Sequence, residues 1–197
     1  MPDQLISTIY DHYKDTCSII RDAVKRRDRL LLFVIIAFGL FAFQGAFPVT
    51  SDAIINDFLR FKFGIDLKLG LSIIGNVIWF LLLIFTLRYF QLAVFVERQY
   101  HYVHKVEEML NKGLGEGAVT REGKAYLSNY PIFSDWMWML YTVIFPLLLL
   151  VVATAKITSE LNNAYIDGWP FNIILDITAF LLLMVSIVLY LIVQHKK

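Results

Sequence analysis

The chain of 197 residues holds one cysteine and five prolines, and its charged residues, 18% of the total, are missing from four long stretches. One thiol, Cys17, cannot form an intrachain disulfide. That excludes small four-pass folds built on cysteine pairs in their external loops. Proline and glycine are scarce near the start: after Pro2 neither occurs before Gly39. A single helix can therefore run from the N-terminal region into the first apolar stretch. No cleavable signal peptide is expected, because the first 29 residues are polar and the apolar run behind them is too long for an h-region.

What fills the uncharged stretches is hydrocarbon. They are Leu30 to Ser51, Leu69 to Leu87, Trp136 to Ala155 and Ile177 to Gln194. A helix crossing the ~30 Å hydrocarbon core needs roughly 20 apolar residues. The whole chain is 58% hydrophobic, with a mean hydropathy of +0.61. These features predict an all-α, four-transmembrane-helix polytopic membrane protein with a juxtamembrane cytoplasmic helical layer. The expected order starts with a cytoplasmic amphipathic helix over 1–29, a span over 30–51, an external loop over 52–68 and a span over 69–87. A cytoplasmic helical extension and return loop over 88–135 follows, then a span over 136–155, an external loop over 156–171 and a span over 172–194.

Cationic residues set the orientation. The segments before the first span, between the second and third, and after the fourth carry 6, 6 and 2 Lys and Arg. The alternate loops carry 3 and 1. The positive-inside rule places both termini and the middle segment in the cytoplasm. The expected location is the cell inner membrane, with the lipid bilayer as the first partner.

Two segments on that side have apolar stripes. Ile6, Ile9, Tyr10, Tyr13, Cys17, Ile20 and Val24 recur at helical spacing. Beyond Arg88 the second span continues as Leu92, Phe95 or Val96, Gln99, Val103, Val106 and Leu110, near heptad spacing. Apart from Gly75 nothing breaks a helix between Leu71 and Lys112, which predicts ~60 Å of helix ended by Gly113, Gly115 and Gly117. Each stripe needs a cover, either the other stripe, a second subunit or a cytosolic protein. The external loop holds another amphipathic stretch, Ser51 to Phe63, capped by Ser51 or Asp52 and carrying Phe58, Leu59, Phe61 and Phe63.

Polar side chains fall at one depth in all four spans: Gln44, Asn76, Lys156 and Asp176. They could line a polar vestibule, with Asp176 supplying charge to an ion path. They could equally be interhelical glue, through a Gln44–Asn76 amide bond and an Asp176–Lys156 ion pair. The remaining length of the spans, as in Phe80 to Phe85 and Leu147 to Val152, is apolar, so conduction would need several subunits around a shared constriction. Pro146 should free the Thr142 carbonyl and kink the third span.

The segment Glu97 to Glu108 is the one dense in reactive groups. Glu97, His101, His104 and Glu108 fall on one helix face, with Arg98 beside them, and offer a cytoplasmic interaction face. His101 and His104 could hold a metal with His12, against the plainer reading of a solvated face with Glu–Lys and Glu–His contacts. Membrane di-iron enzymes carry many more histidines than the four here, and no metal or other cofactor is expected. Six tyrosines, at positions 10, 13, 100, 102, 126 and 130, suit subunit packing or a partner surface. No Gly-rich phosphate loop accompanies them, and nucleic acid is not an expected partner.

Arg98 and His104 form an R-x5-H spacing that resembles the R-x4-6-H signature of HEPN ribonucleases. That resemblance implies a catalytic histidine acting as acid or base and an arginine steadying the charged transition state, the two converging from two subunits. The plan as a whole resembles the small four-pass membrane accessory and effector proteins encoded beside bacterial antiphage systems, including RNA-targeting CRISPR loci. That implies a homo-oligomer that disrupts the inner-membrane barrier when signalled. The expected functions are therefore an oligomeric channel-like effector, a non-catalytic scaffold for a cytosolic partner, or, third, a HEPN-like ribonuclease. An enzyme is the least expected.

Overall fold

The computed structural model describes residues 3–64, 71–115, 117–119, 132–167 and 171–195. They form α1 (Asp3–Ala46), α2 (Pro48–Phe63), α3 (Leu71–Leu114), α4 (Ile132–Met139), a π-helical turn (Leu140–Ile144), α5 (Phe145–Asp167) and α6 (Phe171–His195). There is no strand among the described residues. Four helical stretches are long and apolar enough to cross a membrane. As the absence of helix breakers predicts, α1 and α3 are continuous, 44 residues each, or about 65 Å at 1.5 Å per residue.

Contacts divide the chain into two compact units, one of 1–29 with 89–140 and one of 30–88 with 141–197. In the first, the early turns of α1 pack on the later turns of α3. Tyr13, Ile20, Val103, Val106 and Leu110 are buried together, and Ile6, Ile9, Cys17, Val24, Tyr100 and Val119 close over them. The two stripes thus cover each other. Val96, rather than Phe95, takes the inward position. Thr16 and Ala23 are buried beside them, small enough for close helix approach.

The glycines after α3 do not act alike. Gly113 stays helical, and Gly115, at φ 112°, turns the chain out while its N–H bonds to Asn111 O. The Asn111 side chain then clamps Val119 at both backbone groups, at 2.9 and 2.8 Å. The return segment 120–131, with Tyr126 and Tyr130, lies outside the described residues.

The second unit is the spanning bundle. Burial follows one stripe per helix: Val34, Ala37, Phe41 and Gln44 on α1; Leu149, Ala153 and Ile157 on α5; Ile173, Asp176, Ala179, Leu183 and Ile187 on α6. The opposite faces expose Leu, Ile, Val and Phe almost without interruption, the surface a bilayer covers. Ring contacts give the directions. Phe41 meets Trp79 and Phe33 meets Phe85, so α1 and α3 are antiparallel. Asn76 meets Asn172 and Trp79 meets Phe180, so α3 and α6 run the same way. Phe38 meets Phe145 and Phe41 meets Lys156, so α5 runs with α1.

Three boundaries depart from the sequence reading. The first span ends at Ala46, short of Ser51: Phe47 breaks the helix and α2 starts at Pro48, whose fixed φ and missing N–H suit a first helical position. Neither Ser51 nor Asp52 is the cap; Phe47 holds that place without a side-chain bond, and Ser51 is buried within the helix. The loop expected over 156–171 is helical as far as Asp167. The effect of Pro146 is taken up by the π-helical turn Leu140–Ile144, whose wider ring accommodates the lost i→i−4 bond at Thr142.

Candidate functional site

In the second unit the four sequence-predicted polar residues, Gln44, Asn76, Lys156 and Asp176, stand among three that the sequence did not single out, Trp79, Glu160 and Asn172. Lys156 Nζ stands 2.8 Å from Glu160 Oε1, one turn along α5. Trp79 Nε1 on α3 donates to Glu160 Oε2 at 3.4 Å. The Lys156 ammonium also lies 5.3 Å from the centre of the Phe41 ring, a cation–π distance. Asn76 Nδ2 donates to Asn172 Oδ1 at 3.3 Å, tying α3 to α6. Asp176 is buried and within electrostatic reach of both Glu160 and Lys156.

The pairing differs from both expected pairs. The Lys156 bridge seen here runs to Glu160, which i,i+4 spacing puts within reach on the same helix. The Asn76 amide bonds to Asn172 on α6 and not to Gln44. Gln44 is 5% exposed, and its Oε1 has no hydrogen-bond partner among the described residues. Its amide rests on Gly75, where an added Cβ would lie 3.3 Å from Nε2 and 3.7 Å from Oε1. Glu160 and Asn172 could have been found from sequence only by extending α5 past Lys156 and setting the start of α6 one turn before Asp176. Trp79 reads as lipid-facing until its azimuth is known.

Under this layer is an aromatic floor. Phe41 and Trp79 meet edge to face with ring centres 4.5 Å apart, and Phe180 stands 6.3 Å from Trp79 on the other side. Below it Leu82, Leu149, Leu183 and Ile187 are fully buried. Thr86 is buried with Oγ1 unpartnered among the described residues, a polar point the sequence reading passed over.

The reactive segment of α3 belongs to the other unit. Glu97 and His104 are half-buried, and Arg98, His101 and Glu108 are exposed, so the predicted face is the flank of the helix pair. Arg98 and His104 stand about 120° apart around α3 at 100° per residue, so within one chain they do not converge. His12 shares a 2.7 Å hydrogen bond with the Tyr102 hydroxyl and an edge-to-face contact with its ring. Among the described residues no three His, Cys, Asp or Glu side chains gather as a metal site.

The buried polar contact of this unit is instead Tyr13 Oη donating to Glu107 Oε1 at 2.8 Å. Burial first, then the bond to Glu107, pushes the Tyr13 phenol above its ordinary range. A cavity of about 360 Å³ opens between α1 and α3, lined by Ile19, Asp22, Ala23, Arg26, Leu92 and Phe95. No protein-family model, curated protein or solved structure matches the chain.

Proposed function

We propose that the protein is an oligomeric, channel-like effector of the bacterial inner membrane that perturbs the barrier when signalled, in a defence role. The observation that carries this is the ionisable layer of Lys156, Glu160 and Asp176 inside a bundle whose exterior is apolar. Charged groups at membrane depth are costly and by default mark ion pathways. A single bundle is closed beneath the layer by Phe41, Trp79, Leu82, Leu149 and Leu183, so a conducting path calls for several copies. The excess of Lys and Arg in 1–29, 88–135 and 195–197 supports a cytoplasmic location for both termini and the Tyr13–Glu107 unit. The test is ion flux and dye release from liposomes carrying the purified full-length protein. Flux that falls with Asp176→Asn supports the reading, and a tight membrane around a monomeric protein overturns it.

A scaffold role for a cytosolic partner is the second reading, favoured by the cavity between Ile19 and Phe95. A photo-crosslinking residue at Phe95 would then yield one discrete adduct in cells.

A further inference from the structure

We propose that the polar layer of the spanning bundle is a binding site for a small monovalent cation, framed by the Gln44 amide oxygen and the Asp176 carboxylate. This deepens the ion-handling reading above and rests on it. The helix directions fix the level of each group. Gln44 lies one turn beyond Phe41 on α1, Gly75 one turn before Trp79 on α3, and Asp176 one turn before Phe180 on α6. Because Phe41, Trp79 and Phe180 form one ring-to-ring floor, and α1 runs against α3 and α6, these three positions share the level just above it. Glu160, one turn beyond Lys156 on α5, joins them through Trp79.

Two features point to a cation ligand there. Carboxylate oxygens of Asp176 and Glu160 stand at this level beside the Lys156 ammonium. Among the described residues the buried Gln44 carbonyl oxygen has no donor, and an amide oxygen is a ligand for an alkali cation. Gly75 makes room for the amide itself, which fills the space a side chain there would take. The ligand class follows from the donors. Amide and carboxylate oxygens are hard ligands, and so few of them beside a lysine suit a monovalent ion rather than a divalent one. A divalent or transition metal would want a cluster of carboxylates, histidines or thiolates, and no such group of three occurs among the described residues.

The experiment is a titration of detergent-purified full-length protein with NaCl, KCl or choline chloride at constant ionic strength and pH, following the melting temperature by tryptophan fluorescence. The expected result is a saturable rise with sodium or potassium that choline does not give. Gln44→Leu and Asp176→Asn should each raise the half-saturating concentration at least tenfold, and Met109→Ala, exposed on the later turns of α3, should leave it unchanged. If Gln44→Leu does not fold, Gln44→Asn, which draws the oxygen back by one methylene, should give the same shift. Identical curves with choline, or unchanged half-saturation in the variants, overturn the site. Saturable binding without flux removes the channel and leaves the site, whereas flux without saturable binding does the reverse.

Discussion

The Tyr13 hydroxyl donates a 2.8 Å hydrogen bond to Glu107 Oε1, joining the early turns of α1 to the late turns of α3 across 94 positions of sequence. Both residues are buried, so the bond is made where water cannot replace it.

Tyr13→Phe should destabilise this helix pair by about 1.5–3 kcal/mol, the scale of a hydrogen bond to a charged group. Thermal unfolding monitored by circular dichroism reads it. The phenol titrates above its ordinary value of about 10 when folded. A raised folded value contributes stability that is complete below about pH 10 and is lost as pH climbs through the folded value. The wild-type advantage over Tyr13→Phe should therefore hold steady from neutral pH to about pH 10 and shrink above it. An advantage that grows with alkali would contradict the assignment.

Gly75→Ala places a methyl group 3.3 Å from Gln44 Nε2, and the amide must shift. Overpacking of this kind costs about 1–3 kcal/mol. Because one side chain is the obstacle, Gly75→Ala with Gln44→Ala should cost less than the two single losses added, by about 0.5–3 kcal/mol of coupling. Strict additivity in a double-mutant cycle would show that the two helices do not meet there.

Lys156→Met strips Glu160 of its 2.8 Å partner while Trp79 keeps its own. Removing one member of a buried pair is costly, and the partial exposure of Glu160 reduces that to about 1–3 kcal/mol. Adding Glu160→Gln should restore most of it. A double variant no more stable than the single one would mean that the Lys156 partner lies elsewhere.

Orientation has a direct readout. In a Cys17→Ser background, Ala118→Cys should react in intact cells with a membrane-permeant maleimide and not with an impermeant one. Labelling by both reagents would invert the topology proposed from the cationic residues.

Much of this architecture is legible in the sequence because hydropathy and helix breakers are local properties. The continuity of α1 follows from the absence of proline and glycine between Pro2 and Gly39, and the covering of one stripe by another follows from their matched spacing. Depth along a span is also readable, which is what groups Gln44, Asn76, Lys156 and Asp176 as an expected layer. Partner choice is not. Whether Lys156 meets Asp176 or Glu160 depends on the rotation of each helix about its axis, and a few tens of degrees change the answer. Glu107 was hidden for a similar reason: a carboxylate next to Val106 reads as solvated until Tyr13 on the other helix supplies its donor. The π-helical turn before Pro146 shows the same limit, since a kink and a widened turn satisfy one proline equally well.

A single residue, Phe47, separates α1 from α2. A joint that short has no slack. An antibody, ligand or headgroup tugging on the exposed Phe58 or Phe61 would pass its pull to Ala46 within one peptide unit and to Gln44 half a turn later. The surface helix is thereby geared to the buried Gln44 amide.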